Sequence, residues 1–190
     1  LGVKPGLRHT ACSAAALLFP DARMDLVRVG IAHYGLWPSR QTASTFLSRR
    51  SDVTRDALRP VLRWTSRVMG IKDVPPGAHV GYGTSFRAER SIRLATVPVG
   101  YGQGFARSLS NGGKVLIAGR EAVVVGVVNM SMLLADVSDI PGAGHGDEVT
   151  LIGRDGDAEI RAASFSDPPG RPTYEMLVKL DPRIPRSVVD

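Results

Sequence analysis

The chain has 190 residues, 43% of them hydrophobic, enough to bury a core of one domain or two small ones. Its apolar runs at 14–19 and 122–128 are far shorter than the roughly 20 residues a membrane span requires, which excludes a transmembrane helix by sequence. The formal charge of +6 raises nucleic acid or an anionic surface as a partner, but nine Lys/Arg face four Asp/Glu in residues 1–59 and only fifteen face fourteen thereafter. The surplus sits in the first third, as a phosphate-binding segment or as a face that meets an acidic partner. The aromatic content of 6% argues against nucleic acid. Lone Cys12 excludes an internal disulfide and fits a reducing cytoplasm, and the start has no secretory h-region.

In chain order, residues 9–13 lead into a helix-compatible stretch at 14–18, a break at Pro20-Asp21 and an apolar run at 26–32. This pattern resembles part of an α/β repeat. Pro38-Ser39 closes it, and 39–56 is polar enough for a short helix or a linker. From residue 58 the pattern changes to short β-rich runs at 61–68, 92–99, 114–117, 122–128, 133–137 and 149–152. Turn signals separate them at Pro75-Pro76-Gly77, Asn111-Gly112-Gly113, Pro141-Gly142 and Asp155-Gly156. The spacing predicts a mainly β fold, with an antiparallel sandwich or barrel over 58–190 and an incomplete α/β piece over 1–57. About 50 residues of βα repeat do not cover their own apolar faces.

Candidate chemistry is sparse at first reading. His9, His33, His79 and His145 lie in unrelated contexts with no metal-binding spacing, so no metal site is expected. The glycine-rich turns around 30, 81–83 and 100–104 lack the spacing of a dinucleotide loop or a P-loop. Tyr82 and Tyr101 are flanked by glycines that permit close approach of a ligand, and a phenol both donates and accepts protons. Ser13 precedes an Ala-rich helix, where it serves either as an N-cap or as part of a phosphate cradle.

Several of these weak features occur in an order that resembles the alanine racemases. The stretch His9-Thr10-Ala11-Cys12-Ser13-Ala14 resembles the family's His-x-x-Asn-Ser-Ala, and Arg28-Val29-Gly30-Ile31-Ala32-His33-Tyr34-Gly35 is similar to its Arg-x-Gly-Ile-x-x-Tyr-Gly. Val80-Gly81-Tyr82-Gly83, Thr96-Val97-Pro98-Val99-Gly100-Tyr101, Gly146-Asp147-Glu148-Val149 and Pro182-Arg183-Ile184-Pro185-Arg186 continue the pattern.

The resemblance implies a cytoplasmic, pyridoxal-phosphate-dependent isomerase that interconverts L- and D-alanine for cell-wall precursors. Its implied form is a homodimer whose sites are shared between subunits. It implies that 1–57 is the end of a pyridoxal-phosphate-binding (β/α)8 barrel, or TIM barrel, and 58–190 the C-terminal β domain. By correspondence, Ser13, Gly30, Ile31 and Tyr174 hold the phosphate, and Arg28, supported by His9, faces the pyridine nitrogen. Tyr82 is the acid/base, Met130 binds the substrate carboxylate through its N–H, and Tyr101 and Arg107 line the entry. Racemisation needs a base on each face of the α-carbon, and the family's second base is the lysine that holds the cofactor covalently. Lys4, Lys72, Lys114 and Lys179 lie outside any segment of that kind, each as a solvated charge, with Lys179 expected among terminal strands. The sequence thus resembles a fragment of a racemase, the alternative being a non-catalytic remnant that acts by dimerisation. Val127-Val128-Asn129-Met130-Ser131 replaces the family's Arg-x-Cys-Met-Asp, and Tyr101-Gly102-Gln103-Gly104 its Tyr-Ala-Asp-Gly, making the corridor less charged and opening the substrate class to a larger or polar amino acid such as serine.

Overall fold

In the computed structural model the described residues are 6–50, 57–165 and 174–189. They divide into two compact units at residues 62/63.

The first unit carries α1 (Ser13–Leu18), a 3-10 turn Pro20–Arg23, a second 3-10 turn Ile31–Tyr34, and α2 (Arg40–Ser48). Cys12 and Arg28 form an isolated parallel bridge, and the Arg28 N–H donates to the Ala11 carbonyl at 2.8 Å. Two parallel chain segments are therefore each followed by a helical turn, an α/β arrangement. The apolar run at 26–32 is not a regular strand. It pairs only at Arg28 and then coils, because Gly30 opens the 3-10 turn. The polar stretch after Pro38 is a helix as far as Ser48, capped by Ser39, whose Oγ accepts the Thr42 N–H at 3.0 Å. The rest of that stretch, at 51–56, lies outside the described residues.

The second unit is one antiparallel sheet. Its strands are β1 (Trp64–Arg67), β2 (Gly70–Val74), β5 (Ile92–Val97), β6 (Lys114–Ile117), β7 (Arg120–Val124), β8 (Leu133–Asp136), β9 (Glu148–Asp155) and β10 (Ala158–Ile160), in the order β1-β9-β6-β7-β8-β5-β2 with β10 on β9. The two ends of that path, β1 and β2, are consecutive in the chain, joined through Val68 and Met69. One continuous segment thus brings both edges of the sheet round to each other in a barrel-like curl. Every ladder is antiparallel. Apart from the sheet, β3 (His79–Val80) and β4 (Phe86–Arg87) form a two-residue ribbon that carries residues 81–85 at its tip.

β-Branched and leucine side chains fill the interior: Val97, Val115, Ile117, Val124, Leu133, Val149 and Leu151 are fully buried. Phe105 is also fully buried, with ring centroids 6.4 Å from Trp64 and 5.1 Å from Phe165. β6 and β7 turn through Ala118 and Gly119, both at positive φ, the geometry of a tight two-residue hairpin. Lys179 ends a short helix, α3 (Tyr174–Lys179), rather than lying among strands. Its ammonium pairs with Glu175 at 3.0 Å, the one-turn spacing of a helix. Among the described residues no helix is long and apolar enough to cross a membrane.

Candidate active site

A cleft of about 380 Å³ opens on the β unit, lined by Tyr82, Tyr101, Arg107 and the loop from Val127 to Met132. Four residues singled out by sequence, Tyr82, Tyr101, Arg107 and Met130, thus come together although they span 49 positions of the chain.

Tyr82 sits in a 3-10 turn between Gly81 and Gly83, at φ 75° and 68°, a conformation that other residues adopt only at a cost. The turn throws the ring outward, 75% exposed. Its base lies against the opposite wall, since a Cβ on Gly126 would come 3.1 Å from the Val80 carbonyl oxygen.

Tyr101 opens the turn Tyr101–Gln103, which the Gln103 side chain closes by accepting the Gly100 N–H at 2.9 Å. This turn lies directly on the 127–132 loop. The Tyr101 N–H donates to the Asn129 carbonyl at 3.0 Å and the Gly102 N–H to the Met130 carbonyl at 2.8 Å. A Cβ on Gly100 would stand 2.0 Å from the Asn129 oxygen, so only glycine fits there. Met130, 61% exposed, projects at the apex of a tight turn in which the Asn129 N–H donates to the Met132 carbonyl at 2.9 Å.

Arg107 lies on the turn Arg107–Leu109, and the next residues brace it. Ser110 Oγ donates to the Arg107 carbonyl at 2.6 Å and accepts the Val128 N–H at 3.0 Å. Asn111 joins Ser85 to Gly126 through its amide. Sequence reasoning registered Asn111 only as a turn signal and did not name Ser110 or Met132. A Ser-Asn pair ahead of two glycines is a legible sign of side chains bonding to backbone, but not of which backbone.

The first unit holds a second set. Ser13, 5% exposed, accepts the Gly30 N–H on its Oγ at 3.0 Å and keeps its own hydroxyl proton to donate. The Ile31 N–H begins a 3-10 turn, where a first-turn donor has no helical partner, and a Cβ on Gly30 would meet nothing within 4 Å. The Cys12 thiol beside them is held below its ordinary value, first by the Ala15 N–H and then by that of Ala14, against a smaller effect of burial. The place therefore favours negative charge. Arg28 reaches His9 through a contact of its Nη1 with the ring Nδ1, which makes that nitrogen the acceptor, and also bonds the His9 carbonyl at 3.4 Å. A phosphate needs donors, open space and a positive setting, and these residues supply all three. Tyr174 belongs to the β unit, where it begins α3 half-exposed.

Of the lysines, Lys72 lies exposed on β2 and Lys114 pairs with Glu121 at 2.5 Å; Lys4 lies outside the described residues. Among the described residues no group of three or more His, Cys, Asp or Glu is placed to hold a metal ion.

The sequence profile of the family described as alanine racemase, C-terminal domain, matches residues 61–188. The chain belongs to the alanine racemase family. It is 41% identical over 185 residues to the alanine racemase of Leptospira interrogans serogroup Icterohaemorrhagiae serovar copenhageni, a match covering 97% of this chain and 47% of the relative. Among solved structures, alanine racemase from the D-cycloserine producer Streptomyces lavendulae superposes with a TM-score of 0.86 at 32% identity, over 100% of this chain and 47% of that one. Alanine racemase from Bartonella henselae, with covalently bound pyridoxal phosphate, superposes at 0.77 with 30% identity, over 94% and 45%. The chain spans about half the length of the racemases it matches. The mainly antiparallel β architecture is thus that of the racemase C-terminal domain.

Proposed function

We propose that the chain is the C-terminal portion of a pyridoxal-phosphate-dependent racemase of small amino acids, with alanine as substrate, and that it supplies one of two bases to a site shared between the subunits of a cytoplasmic homodimer. The observation that carries this reading is the cleft, because a proton-transferring phenol, a backbone N–H at the apex of a turn and a cation converge there with no carboxylate in the lining.

Tyr82 Oη takes a proton from, or returns one to, one face of the substrate's α-carbon. Among the described residues its hydroxyl has no hydrogen-bond partner, which leaves it open to a substrate. The Met130 N–H receives the substrate carboxylate, and the Arg107 charge draws that anion in past Tyr101. Asn129 and Ser131 give the wall hydrogen-bonding groups without charge, which suits alanine and also serine.

Residues 1–57 are read as the end of the cofactor-binding barrel, supported by the parallel bridge and the turn after each of its segments. There the Ser13 hydroxyl and the Ile31 N–H would hold the phosphate. The Gly30 N–H is already donated to Ser13, so glycine contributes space and positions that hydroxyl. Arg28, oriented by His9, would lie at the ring nitrogen of the bound cofactor, where a permanent cation opposes its protonation. Pyridoxal phosphate, when bound, makes the α-proton of an amino acid removable. The product implied is D-alanine for peptidoglycan.

The test is subunit complementation. A complete alanine racemase with phenylalanine at its counterpart of Tyr82 is mixed with this chain. The expected result is racemisation restored by the wild-type chain and not by Tyr82→Phe. Mixed dimers confirmed by sedimentation that stay inactive with both chains refute the reading.

A further inference from the structure

Two neighbouring residues that do not line the cleft hold together three of the segments that do. Asn111 Oδ1 accepts the Gly126 N–H at 2.6 Å, its Nδ2 donates to the Ser85 carbonyl at 3.1 Å, and its own N–H donates to the Gly126 carbonyl at 3.2 Å. Ser110 makes the corresponding pair of bonds to Arg107 and Val128. The tip 82–85, the turn 107–109 and the loop 126–132 are thereby tied to one dipeptide.

Asparagine meets several demands at this position. The residue stands at φ 56°, in the left-handed region that asparagine and glycine tolerate best. The amide must accept at one end and donate at the other, toward backbone 15 residues ahead and 26 residues behind. Aspartate loses the donor, glycine loses both ends, and serine has one short arm. A side chain that merely closed its own turn would bond within that turn, whereas Asn111 sends each end of its amide to a different cleft-bearing loop.

We propose that Asn111 is a positioning residue for Tyr82, and that Ser110 acts with it on Arg107 and the loop bearing Met130. Tyr82 has glycine on both sides and no side-chain anchor among the described residues, so the tie at Ser85, three residues on, limits where the phenol points. The catalytic meaning of this tie rests on the racemase reading, whereas the tie itself does not.

The test uses the full chain as wild type, Asn111→Asp and Asn111→Gly. Aspartate keeps the acceptor for Gly126 and turns an oxygen on the Ser85 carbonyl; glycine keeps the backbone conformation and removes both side-chain bonds. Backbone ¹⁵N relaxation is expected to show order parameters at 82–85 falling in both variants and at Gly126 only in Asn111→Gly. In complementation, kcat/KM falls about tenfold in both directions, the scale of one or two lost hydrogen bonds. The primary α-deuterium isotope effect rises only for the enantiomer whose α-proton faces Tyr82. A smaller folded fraction lowers the rate and leaves both isotope effects unchanged. Unchanged order parameters at 82–85 overturn the proposal, and so does a rate loss with both isotope effects unchanged. If the wild-type chain restores no racemisation in proven mixed dimers, the racemase reading fails, and relaxation alone decides whether Asn111 holds the Tyr82 tip.

Discussion

Gly100→Ala isolates the close approach that forms one wall of the cleft. The residue has φ −146°, a conformation open to alanine, so the substitution brings no backbone strain of its own. Its cost comes from contact: the new methyl would lie 2.0 Å from the Asn129 oxygen and 2.6 Å from both the carbon and the oxygen of the Met130 carbonyl, all backbone atoms. Reaching an ordinary contact requires the two segments to part by more than about 1 Å, which stretches the bonds from Tyr101 and Gly102 beyond hydrogen-bonding range. Two bonds at about 1 kcal/mol each, with an overpacking cost of about 1–3 kcal/mol, give about 3–5 kcal/mol. With a urea slope of about 2 kcal/mol per molar, the unfolding midpoint of the β unit falls by about 1.5–2.5 M. Trp64 fluorescence in a Trp37→Phe background follows that unit alone, because Trp64 is buried beside Phe105 while Trp37 belongs to the first unit. Gly112→Ala is the control: a Cβ there meets nothing within 4 Å, and its expected cost is under about 0.5 kcal/mol. Equal midpoints for the two variants would refute the reasoning.

In the first unit, Ser39→Ala removes the cap of α2 and is expected to cost about 1 kcal/mol, read by Trp37 fluorescence, since Trp37 packs 5.3 Å from Phe46 on that helix. Asp181 is held below the usual carboxylate range by its hydrogen bond to the Arg183 side chain, then by the Arg183 N–H, with burial opposing both. A depressed folded-state value stabilises the fold above the unfolded pKa and is lost as pH falls through the folded one. Thermal melts should therefore show a gap between wild type and Asp181→Asn that is constant from neutral pH to about 4 and closes below it. A gap independent of pH down to the acid limit rejects that account.

How much of this was readable in the sequence depended on the range of the forces involved. Strands β6 and β8 are legible because Val115, Ile117, Leu133 and Ala135 are buried by the sheet itself, so their apolar character marks them locally. β2 is not, because Gly70–Val74 includes exposed Lys72 and Asp73, buries Val74 alone, and is otherwise held by pairing with β5. The terminal strands expected around Lys179 give way to α3, and although Glu175 and Lys179 have the helical spacing, six residues carry too little periodicity to decide. Tyr82 was legible as a phenol between glycines. That it shares a cleft with Arg107 and Met130 was not, because loops 25 and 48 residues further along meet it only after the sheet has curled.

The segment from Gly100 to Leu109 shows how contact holds a glycine-rich stretch in place. Gly100, Gly102 and Gly104 suggest a loose turn, yet each meets backbone from elsewhere at a distance that excludes a side chain: Asn129 and Met130 for the first two, Lys179 at 2.8 Å for the third. The glycines permit contact, and the contact restricts the chain. Phe105 completes the restraint, with its N–H donating to the Gly100 carbonyl at 3.1 Å and its ring fully buried beside Trp64 and Phe165. Tyr101 and Arg107 flank this anchor, so this side of the cleft inherits its position from the hydrophobic core. Tyr82 has no such anchor and depends on polar ties at the surface. On the proposed racemase reading, core substitutions at Phe105 should therefore disturb stability and substrate entry together, whereas changes near Tyr82 should separate chemistry from stability.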